Sequence, residues 1–121
     1  MPAAMIVQGI YACLSTQDMS RSVSFYTRLM GREPDERPMP NMVQWRNMQG
    51  AGLQLWHEPA NAEHCRTTIV VPVMATERLR LEEAGVELGP DLAGDWGIIV
   101  QIADPDGNQV TLAEPPKGFA G

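Results

Sequence analysis

Few side chains in this 121-residue sequence can do chemistry: two cysteines, two histidines and three tryptophans stand out. Cys65 adjoins Arg66, and Cys13 shares strand spacing with Tyr11. A nucleophilic thiol needs a base or a cation beside it. Arg66 could activate Cys65 if both faced one cleft; otherwise each cysteine is a small buried thiol. Two cysteines do not make a disulfide framework. His57 and His64 flank Glu58 and Glu63, so the four could meet as a metal cluster, or the histidines could be plain exposed loop residues. Trp45, Trp56 and Trp96 offer planes for a ligand or bulk for a core or an interface.

These residues need elements to hold them. Gln8 to Ser15 suits a strand with Ile10, Ala12 and Leu14 on one face and Tyr11, Cys13 and Ser15 on the other. A helix follows, with Ser15, Thr16 and Asp18 as candidate N-caps. Its stripe is Met19, Val23, Tyr26, Leu29 and Met30, and Gly31 ends it. Arg32 to Met39 carries prolines and reads as a loop with at best an edge strand. Met42 to Met48 and Leu53 to Glu58 pair about a turn at Gln49–Gly52. Gln54, Trp56 and Glu58 share one face of the second strand, and His57 falls on the other.

A polar linker, Glu58 to His64, leads to the same order again. Arg66 to Val73 reads as a strand and Thr76 to Ala84 as a helix closed by Gly85. Val86–Leu88 reads as a short strand and Gly89–Asp95 as a loop. Trp96–Ala103 and Gln109–Glu114 are the last strands, and Pro115–Gly121 is a tail. Gly31 and Gly85 end the helices of the two halves, 54 residues apart. The expected fold is α+β: one domain, 1–121, of two tandem βαβββ modules, about 6–58 and 64–114. The helices cover curved mixed sheets that form an open cup.

Asp104-Pro105-Asp106-Gly107-Asn108 joins the last two strands. Proline presets φ, aspartate bonds back to the backbone, and Gly107 takes the positive φ of a bulged hairpin. This turn between closing strands resembles the glyoxalase/bleomycin-resistance/extradiol-dioxygenase group, the vicinal oxygen chelate superfamily. The segment Asp18 to Tyr26 followed by Leu29-Met30-Gly31 is similar to that family's first helix, and Glu83-Ala84-Gly85-Val86 to the end of its second. The likeness runs from about Ile6 to Glu114.

The resemblance implies four metal-ligand positions, occupied here by Tyr11, Gln54, Arg66 and Thr111. Tyr11 and Arg66 are 55 residues apart, and Gln54 and Thr111 are 57 apart, close to the repeat. Divalent cations take imidazole, thiolate or carboxylate donors. Arg66 stays protonated and repels a cation. No metal and no cofactor is therefore expected. The implied cleft is a ligand-binding surface of Tyr11, Cys13, Gln54, Trp56, Arg66 and Thr111, with Trp45 and Trp96 as further contributors. The resemblance also implies a homodimer.

The formal net charge of −6 argues against nucleic acid, since no Lys/Arg cluster offers phosphate contacts. No apolar run approaches a membrane span, and the start Met1-Pro2-Ala3-Ala4-Met5 lacks the basic residues of a secretory signal. A cytoplasmic location is expected. Three functions fit. One is a binding protein that sequesters an antibiotic or another aromatic or cationic small molecule. Another is a lyase, dioxygenase or isomerase acting on a small oxygenated substrate, which needs a metal in the cleft or, in a metal-free variant, Tyr11 as acid/base and Arg66 stabilising an anion. A third is a sensor or interaction module without chemistry.

Overall fold

The computed structural model describes residues 4–118. The first three residues of the N-terminal segment and the last three of the expected tail lie outside them. The first half runs β1 (Ile10–Thr16), α1 (Met19–Met30), β2 (Glu36–Met39), β3 (Met42–Met48) and β4 (Ala51–His57). A 3-10 turn at Pro59–Asn61 leads to β5 (Arg66–Val70), α2 (Met74–Glu83), β6 (Leu92–Gly94), β7 (Gly97–Ala103) and β8 (Gln109–Glu114). The strands form two open sheets, ordered β1-β4-β3-β2 and β5-β8-β7-β6. Each first strand pairs in parallel with the last strand of its half, and the remaining pairs are antiparallel. The architecture is α+β and repeats βαβββ, as the residue pattern predicts.

Alternation decides which face is buried. Leu14, Val43, Trp45, Leu53 and Leu55 of the first sheet share one core with Val100, Ile102, Val110 and Leu112 of the second. α1 covers that core with Phe25, Tyr26 and Leu29, and α2 with Met74 and Leu81. The buried face of α1 is centred on Ser22, Phe25, Tyr26 and Leu29, while Met19, Val23 and Met30 lie at its margin. Asp18 caps the helix by accepting from the Arg21 N–H at 3.0 Å, and Gly31 ends it at φ 77°.

Three expectations need correction. α2 starts at Met74, two residues early, because the Glu114 carboxylate accepts from the Met74 N–H at 2.6 Å and serves as a cap from another strand. Val86–Leu88 is not a strand. The Val86 N–H returns to the Leu81 carbonyl at 2.9 Å, and Val86 is buried as the apolar residue that follows a helix-ending glycine. The edge strand forms instead within the expected loop, at Leu92–Gly94, through a tight turn to Gly97. A β-carbon on Gly97 would lie 2.0 Å from the Glu114 carbonyl oxygen, so only glycine lets these strands close.

The Asp104–Asn108 turn does more than reverse the chain. Asp104 accepts from the N–H groups of Asp106 (2.9 Å) and Asn108 (2.8 Å) and from the Tyr26 hydroxyl of α1 (2.7 Å). Asp106 accepts from Thr16 (2.6 Å), Ser22 (3.0 Å) and the Gln17 N–H (3.1 Å). Asn108 donates to the Ser15 carbonyl at 2.8 Å. All three turn residues are buried. The turn of the second half is therefore bolted to the first half where β1 passes into α1. Burial pushes the Tyr26 phenol far above its ordinary range, reinforced by the Asp104 charge, so it stays a neutral donor.

Candidate functional site

The faces turned away from the helices carry the candidate residues. On the first sheet, alternation puts Tyr11 and Cys13 of β1 beside Gln54 and Trp56 of β4, since Cys13 registers with Gln54 and Ser15 with Trp56. β3 brings Gln44 opposite Gln54. A hydrogen-bonded line then crosses the sheet. The Trp56 indole N–H donates to the Gln54 carbonyl oxygen at 3.0 Å, and the Cys13 thiol donates to the same oxygen at 3.3 Å. The Gln54 amide donates to Gln44 at 3.1 Å, and Gln44 donates to the Glu36 carboxylate at 2.6 Å. Both glutamine amides are thereby fixed in orientation, and the indole with them.

Tyr11 is held differently. Its ring lies over Gly52, where a β-carbon would approach ring atoms to 2.4 Å. The missing side chain is what lets the ring approach β4 this closely. Beside it the β3–β4 hairpin carries a register shift, with Asn47 at φ 60° and Gln49 at φ 57°. The bulge bends the strand next to an open cavity of about 390 Å³ that is lined by Tyr11, Gln8 and Asn47 among others. At the other end of β1, Ser15 donates to Glu58 at 2.9 Å. This face presents two aromatic side chains held by glycine and amide, with Glu36 and Glu58 at its margins.

The second sheet repeats the plan with other residues. Gln101 lies opposite Thr111 as Gln44 lies opposite Gln54, each pair ten residues apart. The Gln101 oxygen accepts from Thr111 at 2.8 Å and from the Gln109 amide at 2.7 Å. Arg66 begins β5 in register with Gln109. Arg66, Thr68, Gln101, Gln109 and Thr111 line an open cavity of about 550 Å³.

Of the eight sequence candidates, Tyr11, Cys13, Gln54 and Trp56 thus meet on one face, and Arg66 and Thr111 on the other. The remaining two do not join them. Trp45 lies on the helix side, fully buried, with its indole N–H on the Arg32 carbonyl at 2.9 Å. Strand parity explains this, because Trp45 is one residue past Gln44. Trp96 sits at the β6–β7 turn with its ring against Gly94 and outside the Arg66 cavity. Gln44, Gln101, Gln109 and Thr68 were missed. Hairpin register, counted back from Gln54 and Thr111, was the signal for the two central glutamines.

The four residues that the resemblance implies at metal-ligand positions do not suit a divalent cation. One is a guanidinium and one a neutral hydroxyl, and the Gln54 oxygen already accepts from Trp56 and Cys13. Among the described residues, no three His, Cys, Asp or Glu side chains group as ligands. His57 and His64 are exposed and do not form the junction cluster. Cys65 is half-buried, its sulfur 3.6 Å from the Asn61 carbonyl.

The model of the glyoxalase-like domain matches residues 11–113. No curated protein matches the chain at a significant level. Among solved structures, it is similar to a glyoxalase/bleomycin resistance protein from Catenulispora acidiphila DSM 44928, at 26% identity and TM-score 0.82 over 89% of this chain and 98% of that one. It is also similar to TnmS3, an antibiotic binding protein from Streptomyces sp. CB03234, at 22% identity and TM-score 0.75 over 95% and 99%. A bleomycin-binding protein in complex with bleomycin shares the fold at 16% identity and TM-score 0.72 over 91% and 98%. With its fold and almost its whole length accounted for, this chain belongs to the glyoxalase-like domain family, within the vicinal oxygen chelate superfamily.

Proposed function

We propose that the protein is a metal-free small-molecule binder that holds an aromatic ligand against the first sheet. The observation that carries this is the line Trp56–Gln54–Gln44–Glu36, which fixes an indole on the open face that also carries Tyr11. Rigid aromatic planes with oriented amides bind planar molecules at little entropic penalty. Glu36 and Glu58 would favour a cationic group on the same ligand. TnmS3, named as antibiotic binding, and the bleomycin-binding protein support sequestration of an antibiotic as the role.

A homodimer belongs to this reading. β1 and β5 are both edge strands, and Ile10 and Val70 stand exposed on them beside an apolar cavity of about 460 Å³. A thermal-shift panel of bleomycin-type antibiotics, simple aromatic cations and divalent metals tests the proposal, with sedimentation for the assembly. Stabilisation by an aromatic compound that the Trp56→Ala variant loses is the expected result. Tight, stoichiometric metal in the purified protein, removable only by chelators, would overturn it.

A further inference from the structure

We infer that the outer face of the second sheet, around Arg66, is an oxyanion-binding site. It would take the carboxylate or phosphate group of a small molecule. The inference rests on the reading of the chain as a small-molecule binder and adds a ligand feature that the aromatic face does not supply.

The two faces repeat one plan but differ in which groups are left over. On the first sheet the amide line runs through to a carboxylate, so each glutamine donates one amide N–H within the protein. On the second sheet no carboxylate ends the line. The Gln101 oxygen accepts from both Thr111 and Gln109, which leaves the Gln101 amide N–H groups without a partner among the described residues. The Thr68 hydroxyl likewise has none. It lines the same cavity, and Thr68 registers with Thr111 on the neighbouring strand.

Arg66 completes the set. The chain holds fifteen acidic and nine basic residues. Five arginines, Arg21, Arg32, Arg46, Arg78 and Arg80, pair with carboxylates. The Arg66 guanidinium, like that of Arg37, has no ion pair and no hydrogen bond among the described residues, although the protein is rich in acids. No carboxylate lines its cavity. A guanidinium, an amide and a hydroxyl, all unpartnered and lining one cavity, are the kinds of donor that a carboxylate or a phosphate takes. The Gln109 side-chain oxygen accepts no hydrogen bond among the described residues, and it suits a hydroxyl next to the anion. The same arginine stands where the superfamily places a metal ligand, so the charge that repels a cation here attracts the opposite kind of group.

The experiment compares benzoate, phenyl phosphate and the neutral benzamide by calorimetry. The proteins are the full chain and its Arg66→Gln, Arg66→Lys and Trp56→Ala variants. Arg66 is exposed, so its variants should keep the parent melting temperature, which serves as the folding control. At least one anion should bind tenfold or more tightly than benzamide. That preference should vanish in Arg66→Gln, survive in part in Arg66→Lys and persist in Trp56→Ala. Which anion shows the larger loss identifies the source of the oxyanion. Equal binding of the anions and benzamide, or an unchanged preference in Arg66→Gln, would overturn the site while leaving the aromatic reading intact. Failure of all three compounds to bind would overturn both.

Discussion

Replacing Asp106 with alanine should loosen the joint between the two halves. Its carboxylate accepts from Thr16, Ser22 and the Gln17 N–H, at 2.6, 3.0 and 3.1 Å, and from Arg21 at 3.2 Å. Hydrogen bonds to a charged acceptor are worth about 1.5–3 kcal/mol each. Not all of that is lost, because Thr16 and Ser22 also bond each other at 2.6 Å and can keep that contact. The Arg21 pair adds little, since that arginine is 45% exposed. A net loss of about 3 kcal/mol remains, chiefly from the orphaned Gln17 N–H and the emptied space. For a domain of this size that lowers the melting temperature by roughly 12 °C. Arg21→Ala, by contrast, should cost under about 1 kcal/mol. Calorimetric melting of the two variants beside the parent decides the matter. A shift below about 2 °C in Asp106→Ala, or equal shifts in both, would refute the claim that the buried acceptor network locks the halves.

The same carboxylate sets an acid dependence. Burial pushes the Asp106 carboxyl up, but the bonds from Thr16, Gln17 and Ser22, with Arg21, outweigh it and hold the pKa below the ordinary value. A depressed folded pKa means that the contribution is complete above the ordinary carboxylate range. It is lost as pH falls below about 4, and the parent should lose more stability there than Asp106→Ala does. Equal acid sensitivity of parent and variant would contradict this. Gly52→Ala should disturb the site, because the new β-carbon meets the Tyr11 ring at 2.4 Å and the Trp45 carbonyl at 2.8 Å. It should destabilise by about 1–3 kcal/mol and weaken aromatic ligands, as read by denaturant melting and by calorimetry. Tyr26→Phe strips the buried Asp104 carboxylate of its 2.7 Å donor and should cost about 2 kcal/mol in urea unfolding without changing ligand affinity.

The fold was legible because its signals are local. Asp18, Gly31 and Gly85 mark helix ends, and the parity of β1 separates Leu14 from Tyr11. The edge strand at Leu92–Gly94 was not legible, since its pairing follows from a hairpin that only Gly97 permits. The early start of α2 depends on Glu114, forty residues away. The site was half legible. The family resemblance implied Gln54 and Thr111, but Gln44 and Gln101 become visible only once the register of each hairpin is known. Trp45 shows the opposite failure, since an aromatic residue on a half-buried strand reads as core or cleft until its parity is fixed. The Asp104–Asn108 turn read as a hairpin. Its grip on Thr16, Ser22 and Tyr26 is tertiary and leaves no mark in the turn itself.

In the proposed binding mode an aromatic ligand rests on the outer face of the first sheet. The three tryptophans report on it separately, because one lies at the proposed site, one in the core and one at the β6–β7 turn. The direct measurement is a proton–nitrogen NMR titration of the three indole N–H signals with an aromatic compound that stabilises the protein. The Trp56 signal should move in step with saturation, while those of Trp45 and Trp96 stay in place. Saturable binding that leaves Trp56 unmoved, or that shifts Trp96 instead, would contradict that binding mode.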